Sequence, residues 1–218
     1  MERVGDSTQA IVSSGTRELQ AEPRESSQVS RANETVDELA FREAIAHFAT
    51  GVTVVTTTFE GRPAGMTASA VCSLSLDPIL LLVCIDNRLP THHAIDASRR
   101  FAVNVLGERD EAVAQRFARP AEDKFAGVAL VEGSDPPVLA RAIASFVCEV
   151  QERVPGGDHS IFVGRVLSCA ATPGRRPLLY YRSSFGSLRD PQADLLEEAT
   201  GWDAGSVGGF GHLHVRPS

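Results

Sequence analysis

The sequence lacks the features that would place it in a membrane, on a nucleic acid or around a metal. No apolar run approaches the roughly 18 to 20 residues that span a bilayer, and the longest, 79–85, has the length of a buried strand. There is no basic excess: 21 Lys and Arg stand against 28 Asp and Glu, a formal charge of −7 with a pI near 5.4. No positive field gathers phosphate backbones, so nucleic acid is not expected as a partner, and neither is a membrane. The four cysteines, Cys72, Cys84, Cys148 and Cys169, show no CxxC spacing, and no secretory signal is expected. At least three lie in apolar runs and are expected as small buried hydrophobes in a reducing cytoplasm. His92 and His93 are adjacent, but no Cys or carboxylate pair completes a ligand set, so no metal is expected. Glycine-rich phosphate loops and a G-x-S-x-G elbow are both missing, which removes the dinucleotide fold, the P-loop and acyl transfer from a serine.

What is present reads as one domain over 35–189 with two tails, 1–34 and 190–218. The first is rich in Ser, Glu, Arg and Gln with no apolar period and is expected to be disordered; so is most of the second, with 193–200 a candidate short helix. Thr35 and Glu38 form a capping box, and Val36, Ala40, Ala44, Ile45 and Phe48 repeat at helical spacing up to Gly51, which predicts a helix of about 14 residues. The run 52–58 is β-branched throughout, and 60–62 is a turn, so this strand pairs as a hairpin with the chain beyond residue 62.

In the partner stretch, 63–78, Gly, Ala, Ser and Thr replace bulky apolar residues. Its backbone is approachable and it carries no charge before Asp77, a surface suited to a flat, polar-edged ligand with a phosphate tail; a small-residue packing seam has the same composition. The continuous apolar run 79–85 predicts burial on both faces. Thr91 caps a short helix through Ser98, and 101–106 is the next strand with Asn104 inside it. An amphipathic helix passes through 112–117 and ends near Pro120. Residues 146–154 alternate with period two, 156–159 interrupt, 160–167 return as a partner, and 178–181 is a final apolar piece. About six strands in hairpin order with two or three helices between them predict a mainly β protein, an antiparallel barrel with helical decoration.

Polar residues break the apolar pattern at three places: the small-residue stretch, 88–93 and 157–159. Thr91 at a helix N-terminus, beside Arg88 and His92, offers unpaired N–H groups and charge to a phosphate, or is simply a surface N-cap. Gly157 and Asp158 suit a tight turn. His159 at a strand mouth can hydrogen-bond a ligand or carry a proton near neutral pH, or be merely solvated.

Taken as an ordered series, 49–56 (ATGVTVVT), 65–78 (GMTASAVCSLSLDP), 100–106 (RFAVNVL) and 157–159 (GDH) resemble the flavin reductase family of the FMN-binding split barrel, over about 36–186. The resemblance implies a homodimeric split β-barrel that uses NADH or NADPH to reduce FMN or FAD, often for a partner flavin-dependent monooxygenase. Position by position it implies that Pro63, Ala64, Gly65, Met66, Thr67, Ser69 and Ala70 line the flavin ring and ribityl chain. Cys84, Ile85 and Asp86 then flank the ring, Arg88, Pro90 and Thr91 lie near the phosphate, and Lys124 and Phe125 add further flavin contacts. Asp158 and His159 meet the nicotinamide nucleotide, with His159 the single candidate catalytic residue. Arg165 stands where many relatives carry an acid, which leaves NADH against NADPH open. Two other readings remain at this stage: a split-barrel oxidoreductase that keeps its flavin and acts on another substrate, and a flavin carrier or sensor without turnover.

Overall fold

The computed structural model describes residues 36–188. Both expected tails, the candidate helix 193–200 and the capping hydroxyl of Thr35 lie outside the described residues. The fold is that of the compact unit beginning at Glu38. Its elements run α1 (Glu38–Ile45), β1 (Thr50–Gly51), β2 (Thr53–Phe59), β3 (Arg62–Ala68), β4 (Val71–Leu76), β5 (Ile79–Asp86), α2 (Pro90–Ser98), β6 (Arg100–Val105), α3 (Glu111–Ala118), β7 (Ala144–Gly156), β8 (His159–Ala171), β9 (Leu178–Tyr181) and β10 (Ser184–Ser187).

Seven strands form one sheet in the order β3-β2-β6-β7-β8-β5-β4, and every pairing in it is antiparallel. The two ends of that order, β3 and β4, are consecutive in the chain. The N–H of Cys84 donates to the carbonyl of Ala70 at 3.0 Å, which extends the β4–β5 ladder back to the link, and the sheet curls so that β3 touches β5. The interior is a cluster of Val55, Leu81, Val83, Ile85, Ile95, Phe101, Val103, Cys148, Val150 and Phe162. Gly164 must stay bare here, because a Cβ would stand 2.9 Å from that of Cys148 and closer still to the Phe101 ring.

β2 serves two cores, which is why it reads as β-branched from Thr53 to Thr58. Val55 faces the barrel interior, while Val54, one residue along and so on the other face, packs with Val52, Leu106, Ala114, Phe117, Leu139 and Leu178. Its buried hydroxyls are all satisfied: Thr53 Oγ1 donates to Ala68 O (2.7 Å), Thr56 Oγ1 to Pro137 O (2.5 Å) and Thr57 Oγ1 to Arg100 O (2.6 Å). Asn104, the polar residue inside β6, donates to Val54 O at 3.0 Å and accepts from Leu139 N at 2.8 Å, so it ties the loop around 139 to the barrel wall. The hairpin of β2 and β3 forms as expected, its turn made by Glu60 (φ 51°) and Gly61 (φ 71°), the left-handed pair that a two-residue hairpin loop demands.

Five expectations are corrected. The first helix has 8 residues rather than 14 or so, none of them buried, and Gly51 does not end it: Gly51 pairs with Leu179 in a small sheet of order β1-β9-β10. The stretch 63–78 is two strands, broken at 69–70 where the chain crosses from one end of the sheet to the other. β5 is buried on one face only: Leu81, Val83 and Ile85 point inward, while Leu80, Leu82 and Cys84 are half-exposed outside. Thr91 is not an N-cap. Leu89 takes that place with extended backbone, and Pro90, whose ring fixes φ, opens the helix. Of the cysteines only Cys148 is buried; Cys84 is half-buried and Cys72 and Cys169 are exposed, all four free. β10 has no counterpart among the expected strands, since SFGS carries no strand signal; it pairs because Arg182 and Ser183, both left-handed, fold it back onto β9.

Candidate active site

One cleft of about 480 Å3 gathers the chemistry that the sequence spreads over sixty residues. Its floor is β3 from Pro63 to Thr67, one wall is the start of α2 (Leu89, Pro90, Thr91), and the other is the segment 117–125 that leaves α3. Gly65 is buried in that floor, and the reason it is glycine is visible: a Cβ there would come within 2.8 Å of Phe117 and 3.2 Å of Phe125. Those two rings meet edge to face with centroids 5.0 Å apart and close the apolar end of the cleft. Thr67 turns its hydroxyl away, donating to Ala114 O at 2.6 Å, which fastens β3 to α3.

Lys124 is the only lysine in the chain. Its Nζ donates to Gly65 O (3.2 Å) and Phe117 O (3.1 Å), so the ammonium sits over the glycine floor with a third N–H to spare. Burial pulls its pKa below the usual lysine value. The cleft therefore offers a flat backbone floor, an aromatic end and one partly desolvated positive charge. That combination fits a planar ring that carries or acquires negative charge, which is what a flavin presents.

Beside the cleft, where β5 leads into α2, lies a second polar group. In register Asp86 stands opposite His159, and Asp158 precedes it in the two-residue turn between β7 and β8. Arg88 clasps the Asp86 carboxylate (Nη2 to Oδ2 2.7 Å, Nε to Oδ1 3.1 Å), and this hydrogen bond holds Asp86 well below the usual carboxylate range. His159 Nδ1 lies 2.7 Å from Asp158 Oδ1, which lowers the Asp158 pKa and leaves Nε2 of the half-exposed ring free. An oriented imidazole at the mouth of the barrel can donate to or accept from a second ligand.

The expected residues thus fall into three places. Pro63, Ala64, Gly65, Met66, Thr67, Pro90, Thr91, Lys124 and Phe125 share the cleft. Asp86, Arg88, Asp158 and His159 form the neighbouring polar group. Ser69, Ala70 and Cys84 lie together at the seam where β3 meets β5, outside the cleft lining. Ile85 is in none of them: the two-residue period that turns Cys84 and Asp86 outward points Ile85 into the core, where it is wholly buried. His92 is also set aside as a source of charge for a phosphate, because burial, and then its neighbour His93, lower its pKa and favour the neutral ring. Sequence reasoning missed Phe117, Arg119, Pro120 and Glu122 in the cleft wall. The available signal was the break of the helical pattern at Pro120, with the lone lysine a few residues beyond it. A larger open depression of about 620 Å3 beside Glu108 and Arg176 contains none of the expected residues, and Arg176 there is paired with Glu108 at 2.9 Å.

Comparisons with known proteins identify the family to which the chain belongs. The family model described as "Flavin reductase like domain" matches residues 45–189. The reductase component of 4-nitrophenol 4-monooxygenase/4-nitrocatechol 2-monooxygenase from Rhodococcus opacus is 45% identical over 151 residues, covering 69% of this chain and 81% of that protein. The NADH-dependent FAD reductase of Streptomyces globisporus is 37% identical over 164 residues, covering 72% and 89%. The solved structure of the S. globisporus C-1027 NADH:FAD oxidoreductase SgcE6, in complex with NAD and FAD fragments, superposes with a TM-score of 0.68 at 37% identity, covering 72% of this chain and 96% of that one. With the model match spanning most of the described residues, the chain belongs to the flavin reductase-like family.

Proposed function

We propose that this chain is an NAD(P)H:flavin oxidoreductase that reduces FMN or FAD as a substrate and releases it to a partner flavin-dependent monooxygenase. The observation that carries the reading is the cleft in which the bare Gly65 floor, the Phe117–Phe125 end and the partly buried Lys124 meet. Bound there, a flavin supplies the hydride acceptor and a reduced nicotinamide the donor, so the protein's work is alignment and charge placement rather than acid–base chemistry. Gly65 and its neighbours on β3 receive the ring through their backbone, and Lys124 balances negative charge beside the apolar end that Phe117 and Phe125 form. Arg88, Pro90 and Thr91 stand where the phosphate end is expected. His159, oriented by Asp158, meets the nicotinamide nucleotide.

The names of the relatives favour NADH and FAD among the candidate substrates. A homodimer is supported by apolar surface that a lone chain leaves wet: Leu39, Phe41 and Ile45 of α1 and Phe48 are all more than half exposed, and the outer face of β5 is only partly covered. We place the protein in the cytoplasm, where the exposed thiols of Cys72 and Cys169 stay reduced.

The test is anaerobic mixing of the protein with excess flavin and excess NADH or NADPH. Bleaching of many equivalents of flavin per chain supports the reductase. Bleaching that stops at one equivalent replaces it with a flavin-retaining oxidoreductase, and no bleaching with tightly held flavin replaces it with a carrier or sensor.

A further inference from the structure

A chain of hydrogen-bonded side chains, buried at His92 and Ser160 and half-buried at Asn87, joins the two halves of this site, and none of its members lines the cleft. His92, in the first turn of α2, has Nε2 2.9 Å from Ser160 Oγ; Ser160 Oγ donates to Asn87 Oδ1 at 2.7 Å; and Asn87 Nδ2 donates to Gly157 O at 3.4 Å, while the Asn87 N–H donates to Asp158 O at 3.0 Å. The direction of the chain is fixed by its middle. Because the Ser160 hydroxyl gives its proton to Asn87, it must accept one from His92, so His92 carries its proton on Nε2. That assignment explains why His92 Nδ1, buried with no hydrogen-bond partner, is a bare lone pair rather than an unsatisfied N–H. His92 and Ser160 are 5% and 6% exposed, so water does not compete for the bond between them.

We infer that Asn87 is a positioning residue which, through Ser160 and His92, locks the start of α2 to the turn carrying Asp158 and His159, and so fixes the flavin cleft relative to the nicotinamide site. The inference rests on the functional reading above. Pro90 and Thr91 line the cleft and belong to the same helical turn as His92, whereas Gly157 and Asp158 form the turn that Asn87 grips from the other side, with His159 the next residue. Loosening a single link therefore disturbs both nucleotides at once, even though Asn87 and Ser160 do not line the cleft. Substitution of a residue that only touches one ligand disturbs that ligand alone.

The experiment uses Asn87→Ala, Ser160→Ala and the double variant in the full chain. Dissociation constants are measured without turnover, for FAD by quenching of its fluorescence and for NAD+ by calorimetry, alongside thermal melts. Each single variant is expected to weaken both ligands, by about fivefold or more, well below its melting temperature, and the double variant to be no worse than the poorer single one, the mark of two links in one chain. Ser160→Ala removes only a hydroxyl from a strand and so keeps the test open should Asn87→Ala fold poorly. Affinities within about twofold of wild type, loss at one ligand only, or additive losses overturn the inference while the functional reading stands. A wild-type protein that binds neither FAD nor NAD+ overturns the reading and the inference together.

Discussion

Gly65→Ala is the smallest change that challenges the cleft. The added carbon would lie 2.8 Å and 3.1 Å from two atoms of the Phe117 ring and 3.2 Å from Phe125, where an ordinary contact is 3.4 Å or more. Phe117 is 1% exposed and packed against Val54, Leu106 and Leu139, so it has nowhere to go. Phe125 is only half-buried and gives way, taking the Lys124 segment with it. Overpacking of this kind costs about 1–3 kcal/mol. For a domain of this size about 2 kcal/mol lowers the melting temperature by roughly 4–8 °C. Displacing the aromatic end of the cleft by even about 1.4 kcal/mol weakens flavin tenfold. Thermal melts and flavin fluorescence titrations read both effects. Gly51→Ala, where an added Cβ meets nothing within 4 Å, is the control and leaves both unchanged. Phe117→Leu placed on top of Gly65→Ala restores part of the stability by making room. A Gly65→Ala protein with wild-type melting and wild-type flavin affinity refutes the packing argument.

Three further outcomes are expected. His159→Ala raises the KM for NAD(P)H more than it weakens flavin, and unchanged kinetics with both substrates removes His159 from the site. Because Lys124 is the only lysine and its pKa is lowered by burial, a reductive amination reagent at neutral pH modifies one side-chain amine, and bound flavin protects it; peptide mass analysis showing no protection contradicts its place in the cleft. His92 titrates lower in the folded chain than the ordinary histidine value near 6.5, so below about that pH the unfolded state binds more protons and stability falls as pH drops towards the folded-state pKa. Melting temperatures across that window show the loss in wild type, and His92→Gln, which cannot titrate, flattens it.

The ordered motifs make the central strands, the hairpin of β2 and β3, the turn at 157–158 and the family legible from sequence, because each rests on local chemistry: β-branched runs, a Gly-rich turn, a two-residue period. What is not legible depends on where a strand's faces end up. The run 79–85 is apolar on both sides, yet only Leu81, Val83 and Ile85 enter the core, so the sequence offers Ile85 to a ligand it does not face. The stretch 63–78 reads as one unit because small residues continue through it, and only the curl of the sheet divides it at 69–70. The wall formed by 117–125 is visible in the sequence only at Lys124 and Phe125, since a loop's position against a distant strand leaves no pattern in the chain. Asn87 and Ser160 are hidden for the same reason: 73 residues separate two groups that share one hydrogen bond.

The most direct measurement is oxidation of NADH and of NADPH by the purified protein, followed through the absorbance of the reduced nicotinamide, with FMN, FAD and riboflavin added in turn. The account predicts turnover that saturates with at least one flavin and is negligible without it. No oxidation in any pairing, from a folded protein that nonetheless binds flavin, contradicts the assignment of this cleft to hydride transfer.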